Sequence, residues 1–288
     1  MTHTTYRKYH AIEAETGKDC HIQQPITKNA DKNQEPKTRN QGAETKKSLS
    51  LQAIMGREKI FKFKQFAVLN DRTAMKVGTD GVLLGAWCDV ENASHVLDVG
   101  TGCGLIALMV AQRNSLAIIH GIDIDANAID EARFNFKASP WGGRLSAEVA
   151  DFNSYNAGSY DLIVSNPPFF TNGVLPPSDS RTHARHTTTL TYESLLSRCR
   201  KLLTPGGCIA IVTPADVELA VRRCVVEQGL GLRRFTRVVP VDGAPVKRLL
   251  WELVVGDVET MVSTLTISGQ DRSYTKQYRE LTCDFYLD

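Results

Sequence analysis

The sequence predicts an α/β protein with a doubly wound, mostly parallel sheet that carries an antiparallel edge strand. Three observations support this class. Short segments rich in Val, Ile and Leu recur along the chain, helical segments separate them, and a glycine-rich turn follows one of the first strands. Strands that are apolar along their whole length are typical of a parallel sheet covered by helices on both faces.

A polar extension precedes the folded part of the chain. Residues 1–56 are rich in Thr, Asn, Gln, Lys and Glu and show no apolar periodicity, so they bury too little apolar surface to offset the entropy of ordering. We therefore expect a disordered extension over residues 1–56 and one folded domain over residues 57–288. Met55 stands at the boundary, and we hypothesise that translation starts there.

The elements of the folded domain are predicted from apolar patterning. A hairpin near Phe61 precedes a helix at Thr79–Trp87, for which Thr79 or Asp80 is a candidate N-cap. The later segments are strand 95–99, helix 105–112, strand 117–124, helix 127–138, strands 146–150 and 160–165, helix 190–203, strand 208–213, helix 216–228, and strands 233–239 and 249–255. Right-handed crossovers bring the carboxyl ends of parallel strands to one edge, where ligands bind.

Composition excludes several classes of protein. No run of 18 apolar residues predicts a transmembrane helix, and no apolar leader marks the N-terminus. The 7 cysteines are scattered without a Cys-x-x-Cys pair, which indicates reduced thiols rather than disulfides or a metal site. A net charge of +2 leaves only local basic patches for nucleic acid. We expect a cytoplasmic protein without a bound metal.

The turn Gly100-Thr-Gly-Cys-Gly104 leads from a strand into a helix. Glycine allows the backbone to turn sharply and to lie close to a ligand. The spacing differs from the G-x-G-x-x-G of dinucleotide-binding dehydrogenases. Asp98 precedes the turn and would repel a pyrophosphate, whereas it suits the ammonium or sulfonium of S-adenosylmethionine. Asp98, Gly100 and Gly102 are therefore predicted to bind that cofactor.

Acidic residues also follow the next two strands. Asp123 ends the second strand, where a carboxylate can accept hydrogen bonds from ribose hydroxyls. Asp151 follows the third strand and can accept a hydrogen bond from the adenine amino group. Asp125 fits the N-cap of the next helix. Each Asp alone also fits a cap or a turn, but together with Asp98 they favour an adenosyl ligand.

The fourth strand ends in Asn166-Pro-Pro-Phe169, the most specific feature of the sequence. An aromatic amine is a poor nucleophile because its lone pair is delocalised into the ring. The Asn166 side-chain oxygen and the Pro167 carbonyl can accept hydrogen bonds from such an amine, while Pro167 and Pro168 restrict the backbone. Phe169 can stack on an extruded base. The motif predicts methylation of an exocyclic amine; an Asn-Pro turn after a strand is the alternative.

With this motif the chain resembles the amino-methyltransferases that carry Asn-Pro-Pro-aromatic, and among them one bacterial family, the valine-tRNA adenine-N6 methyltransferases. The resemblance covers about residues 57–288. It is carried by Phe63-Lys-Gln-Phe66, Asp71-Arg72, Ala74–Trp87, the loop at Asp98, Ser139-Pro-Trp141, Ser165–Phe169, Ala184–Leu190, Tyr274, Tyr278, Leu281-Thr282 and Phe285-Tyr-Leu287. The Lys76–Trp87 stretch is quite specific, whereas the glycine turn alone admits many methyltransferases.

The resemblance implies a Rossmann-like class I domain that methylates N6 of a flipped adenine at position 37 of tRNA, with S-adenosylmethionine as donor. It implies that Asp98, Gly100 and Gly102 hold the methionine end of the cofactor, Asp123 the ribose and Asp151 the adenine. It also implies that Asn166–Phe169 hold the target base, and that Asn166 and Thr79 lie near the cofactor. Phe169 departs from the Tyr expected in many relatives, and this removes a hydroxyl contact.

Basic residues after the motif are candidates for RNA binding. We expect Arg181, Arg185 and His186 to contact phosphates around the flipped nucleotide, with a solvated loop as the alternative. Another basic cluster contains Arg233, Arg234 and Arg237. The expected partner is tRNA, and we expect a monomer.

Three other functions remain open at this stage. One is methylation of a glutamine side-chain amide in a protein release factor, which uses the same Asn-Pro-Pro acceptors. Another is methylation of guanine N2 in ribosomal RNA. The third is a non-catalytic RNA-binding scaffold, which would have no need of Asp98 and Asn166.

Overall fold

The computed structural model describes residues 60–73, 76–167 and 190–287. The strands in these ranges are β1 (Ile60–Lys62), β2 (Ala67–Leu69), β3 (His95–Val99), β4 (Ile118–Asp123), β5 (Leu145–Val149), β6 (Tyr160–Ser165), β7 (Leu203–Pro214), β8 (Leu230–Val241), β9 (Arg248–Val255) and β10 (Met261–Ser268). The helices are α1 (Thr79–Trp87), α2 (Leu105–Arg113), α3 (Ala126–Ala138), α4 (Tyr192–Leu202), α5 (Glu218–Glu227) and α6 (Lys276–Thr282). Short 3-10 turns cover Gly142–Arg144 and Ala215–Val217.

Strands β3 to β10 form one sheet in the order β10-β8-β9-β7-β6-β3-β4-β5. All neighbours are parallel except β9, which runs antiparallel to β7 and β8. The doubly wound, mostly parallel class is confirmed. The antiparallel strand, β9, lies near one end of the sheet. It is not the outermost strand, because β8 and β10 lie between it and the edge. The chain leaves β3 in one direction to β4 and β5 and later returns to β6 on its other side, so the switch point of the sheet lies at β3.

The element boundaries agree with the sequence patterns apart from a few local differences. Helix α1 has Gly78 at its N-cap in extended conformation, so the expectation that Thr79 or Asp80 caps this helix is wrong; both lie in its first turn. Asp125 does cap α3, because its Oδ1 accepts a hydrogen bond from the Asn127 N–H at 2.9 Å. Strand β10 and helix α6 were not predicted. Strand β7 also begins earlier than expected, at Leu203.

Each face of the sheet has its own apolar core. On one face, α1, α2 and α3 bury side chains such as Leu83, Leu108 and Phe136. On the other face, α4 and α5 cover the sheet, and the buried side chains include Leu196 of α4 and Trp251 of β9. A fully buried side chain of this size contributes about 2 kcal/mol, so both helical layers stabilise the sheet. None of the helices within the described ranges is long and apolar enough to cross a bilayer.

Candidate active site

The register of the parallel strands aligns the predicted site residues along one edge of the sheet. Val99 at the end of β3 is paired with Ile122 of β4 on one side and with Ser165 of β6 on the other. Strand β5 adds the next position, because Asp123 is paired with Val149. The residues that follow these strands therefore succeed one another along the edge in the order Asn166, Gly100, Asp123 and Asp151.

The turn after β3 leaves open space above its backbone. Gly100 has φ 71° and Gly102 has φ 55°, a left-handed conformation that strongly favours glycine. A Cβ built on either residue meets no heavy atom within 4 Å, so a ligand can approach the backbone here. The N–H groups of Gly100 and Thr101 both donate to the Ile122 carbonyl at 2.9 Å and fix the turn to β4.

Asp98 lies beneath this turn and is fully buried. Its Oδ2 accepts hydrogen bonds from Thr101 Oγ1 at 2.8 Å and from the Ala107 N–H at 3.2 Å. Its Oδ1 is also buried and accepts no hydrogen bond from the residues that the structure describes. Burial raises the pKa of this carboxyl to about 7, and the bonds from Thr101 and Ala107 only partly oppose the rise. A buried acceptor without a donor is unfavourable, so the site suits a ligand that brings a cationic N–H group.

Asp123 is held by two backbone groups. Its Oδ2 accepts a hydrogen bond from the Gly102 N–H at 3.0 Å, and its Oδ1 accepts one from the Asp125 N–H at 2.9 Å. A carboxylate has about four acceptor positions, so each oxygen keeps capacity for a further donor. The side chain is thus oriented by the glycine turn and by the N-cap residue of α3.

Asp151 lies in a turn after β5, next to Asp123 along the edge of the sheet. Its Oδ1 accepts hydrogen bonds from the Asn153 backbone N–H at 2.8 Å and from Asn153 Nδ2 at 3.1 Å. Both sequence interpretations, a turn residue and an adenine acceptor, are compatible with this geometry. Its role toward the cofactor stays a prediction.

The end of β6 is attached directly to the end of β3. The buried Ser165 hydroxyl donates to the Val99 carbonyl at 2.8 Å. Asn166 follows as a half-buried residue and Pro167 is buried, so their carbonyl-type acceptors stand beside the glycine turn. Pro168, Phe169, Arg181, Arg185 and His186 lie outside the described residues.

Helix α1 begins close to the glycine turn. The Cβ position of Gly81 lies 3.1 Å from Cδ2 of Leu105, which is the first residue of α2 after the turn. Thr79, in the first turn of α1, is exposed. Asp80 forms an ion pair with Arg248 at 2.7 Å between Oδ2 and Nε, and this pair joins α1 to the start of β9. Thr79 is therefore near the site, and its contact with a cofactor stays a prediction.

The basic residues Arg233 and Arg234 of β8 form ion pairs within the protein. Arg233 Nε and Arg234 Nη2 bond to the buried Glu252 carboxylate at 2.8 and 2.7 Å. Arg234 also stacks over the Trp87 ring at 3.9 Å. These two arginines therefore stabilise the sheet and α1, and the expectation of an exposed basic patch is not met at them.

Sequence patterns did not identify several residues that shape the site. Thr101 and Ser165 bond within it, and Glu131 and Asn135 on α3 bond to the segment that follows β2. The available signal was two polar residues four positions apart, and therefore on one face of the helix. Within the described ranges, no group of three or more His, Cys, Asp or Glu side chains is arranged to hold a metal ion.

A doubly wound sheet with this row of Asp, Gly and Asn residues at its switch point defines a class I methyltransferase fold. The model of the methyltransferase small domain family matches residues 76–226 of the chain. A solved structure described as a predicted O-methyltransferase from Agrobacterium tumefaciens superimposes with a TM-score of 0.57 at 15% identity, over 72% of this chain and 96% of that one. That likeness supports the fold alone.

Curated relatives identify the family within the methyltransferases. A protein of Phocaeicola vulgatus is 42% identical over 79% of this chain and 97% of its own length. One of Parabacteroides distasonis is 44% identical over 79% and 97%, and one of Erwinia tasmaniensis is 43% identical over 79% and 94%. All three are named tRNA1(Val) (adenine(37)-N6)-methyltransferase. The chain belongs to this family of methyltransferases, and the resemblance seen in the sequence is confirmed.

Proposed function

We propose that the protein transfers a methyl group from S-adenosylmethionine to the exocyclic N6 of the adenine at position 37 of valine tRNA. The observation that carries the proposal is the placement of Asn166 and Pro167 directly beside the glycine turn, through the pairing of Val99 with Ser165. The choice of tRNA as substrate is supported by the names of relatives that are 42–44% identical.

The residues at the sheet edge fit S-adenosylmethionine. The unsatisfied buried Oδ1 of Asp98 suits the ammonium of its methionine end, and the open space above Gly100 and Gly102 accommodates that end against the backbone. Asp123 is oriented to accept hydrogen bonds from ribose hydroxyls. We expect Asp151, one strand further along the edge, to accept a hydrogen bond from the adenine amino group.

When bound, S-adenosylmethionine supplies an electrophilic methyl group on a sulfonium. The task of the protein is then to present the amine with its lone pair directed at that methyl. Asn166 Oδ1 and the Pro167 carbonyl accept the two amine hydrogens, which draws the nitrogen toward tetrahedral geometry and stabilises the positive charge that develops on it. The Ser165–Val99 bond holds both acceptors at a constant distance from the glycine turn. No covalent intermediate with the enzyme is required.

These acceptors select the type of nitrogen but not the base. Asn166 and Pro167 would accept a bond from an adenine or a guanine amine equally well. We expect Pro168 and Phe169 to complete the base pocket, and Arg181, Arg185 and His186 to bind phosphates around the extruded nucleotide. We further expect a monomeric protein that acts in the cytoplasm.

A comparison of three candidate substrates tests the proposal. The full-length protein is incubated with S-adenosylmethionine labelled on its methyl group and with unmodified tRNA, ribosomal RNA and a release factor in parallel. The expected result is label in tRNA alone, and its loss in the Asn166→Ala variant. Label that appears only in protein or only in ribosomal RNA would refute the tRNA assignment, and no label in any substrate would point to a non-catalytic protein.

A further inference from the structure

The segment of residues 69–73, at the end of β2 and directly after it, is held between two opposite charges. The Glu131 carboxylate of α3 accepts hydrogen bonds from the N–H groups of Asp71 at 2.8 Å, Arg72 at 2.5 Å and Thr73 at 3.1 Å. The Lys76 ammonium bonds to carbonyl groups of the same segment, those of Asn70 at 3.3 Å, Asp71 at 2.8 Å and Thr73 at 2.9 Å. An anion thus binds the amides of this segment and a cation binds its carbonyls.

This arrangement is buried on the side of α3. Glu131 is 2% exposed, so its charge is balanced by the three N–H groups rather than by water. Asn70 and Thr73 are buried as well and bond to each other, with 2.6 Å between Thr73 Oγ1 and Asn70 Oδ1. The segment therefore has one defined conformation, which depends on a helix residue far away in the sequence.

One turn further along α3, Asn135 connects the segment to the glycine turn. Its Oδ1 accepts a hydrogen bond from the Leu69 N–H at 2.8 Å, and its Nδ2 donates to the Leu69 carbonyl at 2.9 Å. The same Nδ2 donates to the carbonyl of Cys103, within the glycine turn, at 2.8 Å. Asn135 is 1% exposed. A single amide thus joins the end of β2 to the turn that follows β3.

From these contacts we infer that Glu131 and Asn135 are positioning residues for the cofactor site, which hold residues 69–73 and the glycine turn in one fixed arrangement. Lys76, which bonds to carbonyls of this segment, lies just before α1, whose first turn contains Thr79 and lies against Leu105 at the exit of the glycine turn. Neither residue needs to touch the cofactor, because both act through the backbone that faces it. This inference rests on the proposed use of S-adenosylmethionine.

Two isosteric substitutions remove these contacts. In Glu131→Gln, an amide N–H₂ group replaces one carboxylate oxygen and can face the N–H of Thr73 or of Asp71 and Arg72, donor against donor. In Asn135→Asp, a carboxylate oxygen replaces Nδ2 and faces the carbonyls of Leu69 and Cys103. Asp130→Asn is the matched control, since Asp130 lies on the same helix with a side chain that is 67% exposed.

Binding is measured by calorimetry with S-adenosylhomocysteine, which requires no RNA substrate. We expect Glu131→Gln and Asn135→Asp each to raise Kd by about tenfold or more, as for the loss of a charged hydrogen bond. We expect kcat at saturating cofactor to fall by less than about threefold, because the loss concerns binding of the cofactor rather than the methyl transfer. Asp130→Asn should bind as the wild type does.

Amide hydrogen exchange separates positioning from general destabilisation. In the variants, the amides of residues 69–73 should exchange faster while those of the sheet strands keep their protection. An unchanged Kd in both folded variants would overturn the inference, and so would faster exchange spread evenly over the whole sheet. Failure of the wild-type protein to bind S-adenosylhomocysteine would instead refute the proposed function.

Discussion

The buried carboxyl of Asp98 makes the stability of the ligand-free protein depend on pH. Burial raises its pKa from 3.8 to about 7. Below pH 4 the carboxyl is protonated in both the folded and the unfolded chain and has no effect. As pH rises from about 4 to 7, the unfolded chain releases its proton while the folded chain retains it, so stability falls. Above pH 7 the loss is complete.

The magnitude follows from the same pKa values. Each tenfold change in the ionisation constant corresponds to about 1.4 kcal/mol, so the full loss in free energy of unfolding is about 4 kcal/mol. Between pH 5 and pH 8, roughly 2–3 kcal/mol of this loss should occur. Asp98→Asn removes the titrating group, and the pH dependence of the variant should be flatter by that amount.

The assay is urea denaturation of the ligand-free protein at pH 5 and at pH 8. Asp130→Asn serves as the control, because its exposed carboxylate should contribute little to either measurement. The quantity compared is the change in unfolding free energy between the two pH values for wild type, Asp98→Asn and the control. Equal changes in wild type and Asp98→Asn would show that this carboxyl titrates near its usual pH in the folded protein. That result would refute the prediction that burial of Asp98 makes the stability depend on pH.

Three further predictions concern the site. Asn166→Ala should lower the single-turnover methylation rate by about 100-fold or more with little change in the Kd for S-adenosylhomocysteine; an equal loss in both would contradict the amine-orienting role. Gly102→Ala should lower the unfolding free energy by about 1–2 kcal/mol, because φ is 55°, and should weaken cofactor binding, as seen by denaturation and calorimetry; undiminished affinity would argue against cofactor binding at the glycine turn. The pair Arg181→Ala with Arg185→Ala should weaken tRNA binding and reduce its salt dependence in a filter-binding assay; identical binding curves across salt concentrations would exclude phosphate contacts.

Much of the fold could be predicted because the central strands are apolar along their length. Segments such as Leu162–Val164 are buried on both faces, and a strand with this burial has a simple signature. Strand β10 lacks it: it lies at the edge of the sheet, and only Leu265 is buried among Ser, Thr and exposed apolar residues. Its pairing with β8 depends on the finished sheet, which local sequence does not encode.

The site could be predicted in part for a related reason. Parallel strands bring their carboxyl ends together, so the sequence alone places the residues at and after these ends on one edge, namely Asp98 to Gly102, Asp123 and Asn166. Glu131 and Asn135 could not, since polar residues on a helix usually face solvent. Their importance arises only when the segment after β2 folds against α3 and its backbone needs partners.

The position of the methyl group on the RNA distinguishes methylation of adenine 37 from the other reactions. A tRNA1(Val) transcript with adenosine at position 37 and a matched transcript with guanosine there are incubated with the protein and S-adenosylmethionine, digested to nucleosides and analysed by mass spectrometry. We expect N6-methyladenosine from the first transcript and no methylated nucleoside from the second. Methylation of another position in both transcripts, or N2-methylguanosine from the second, would contradict it.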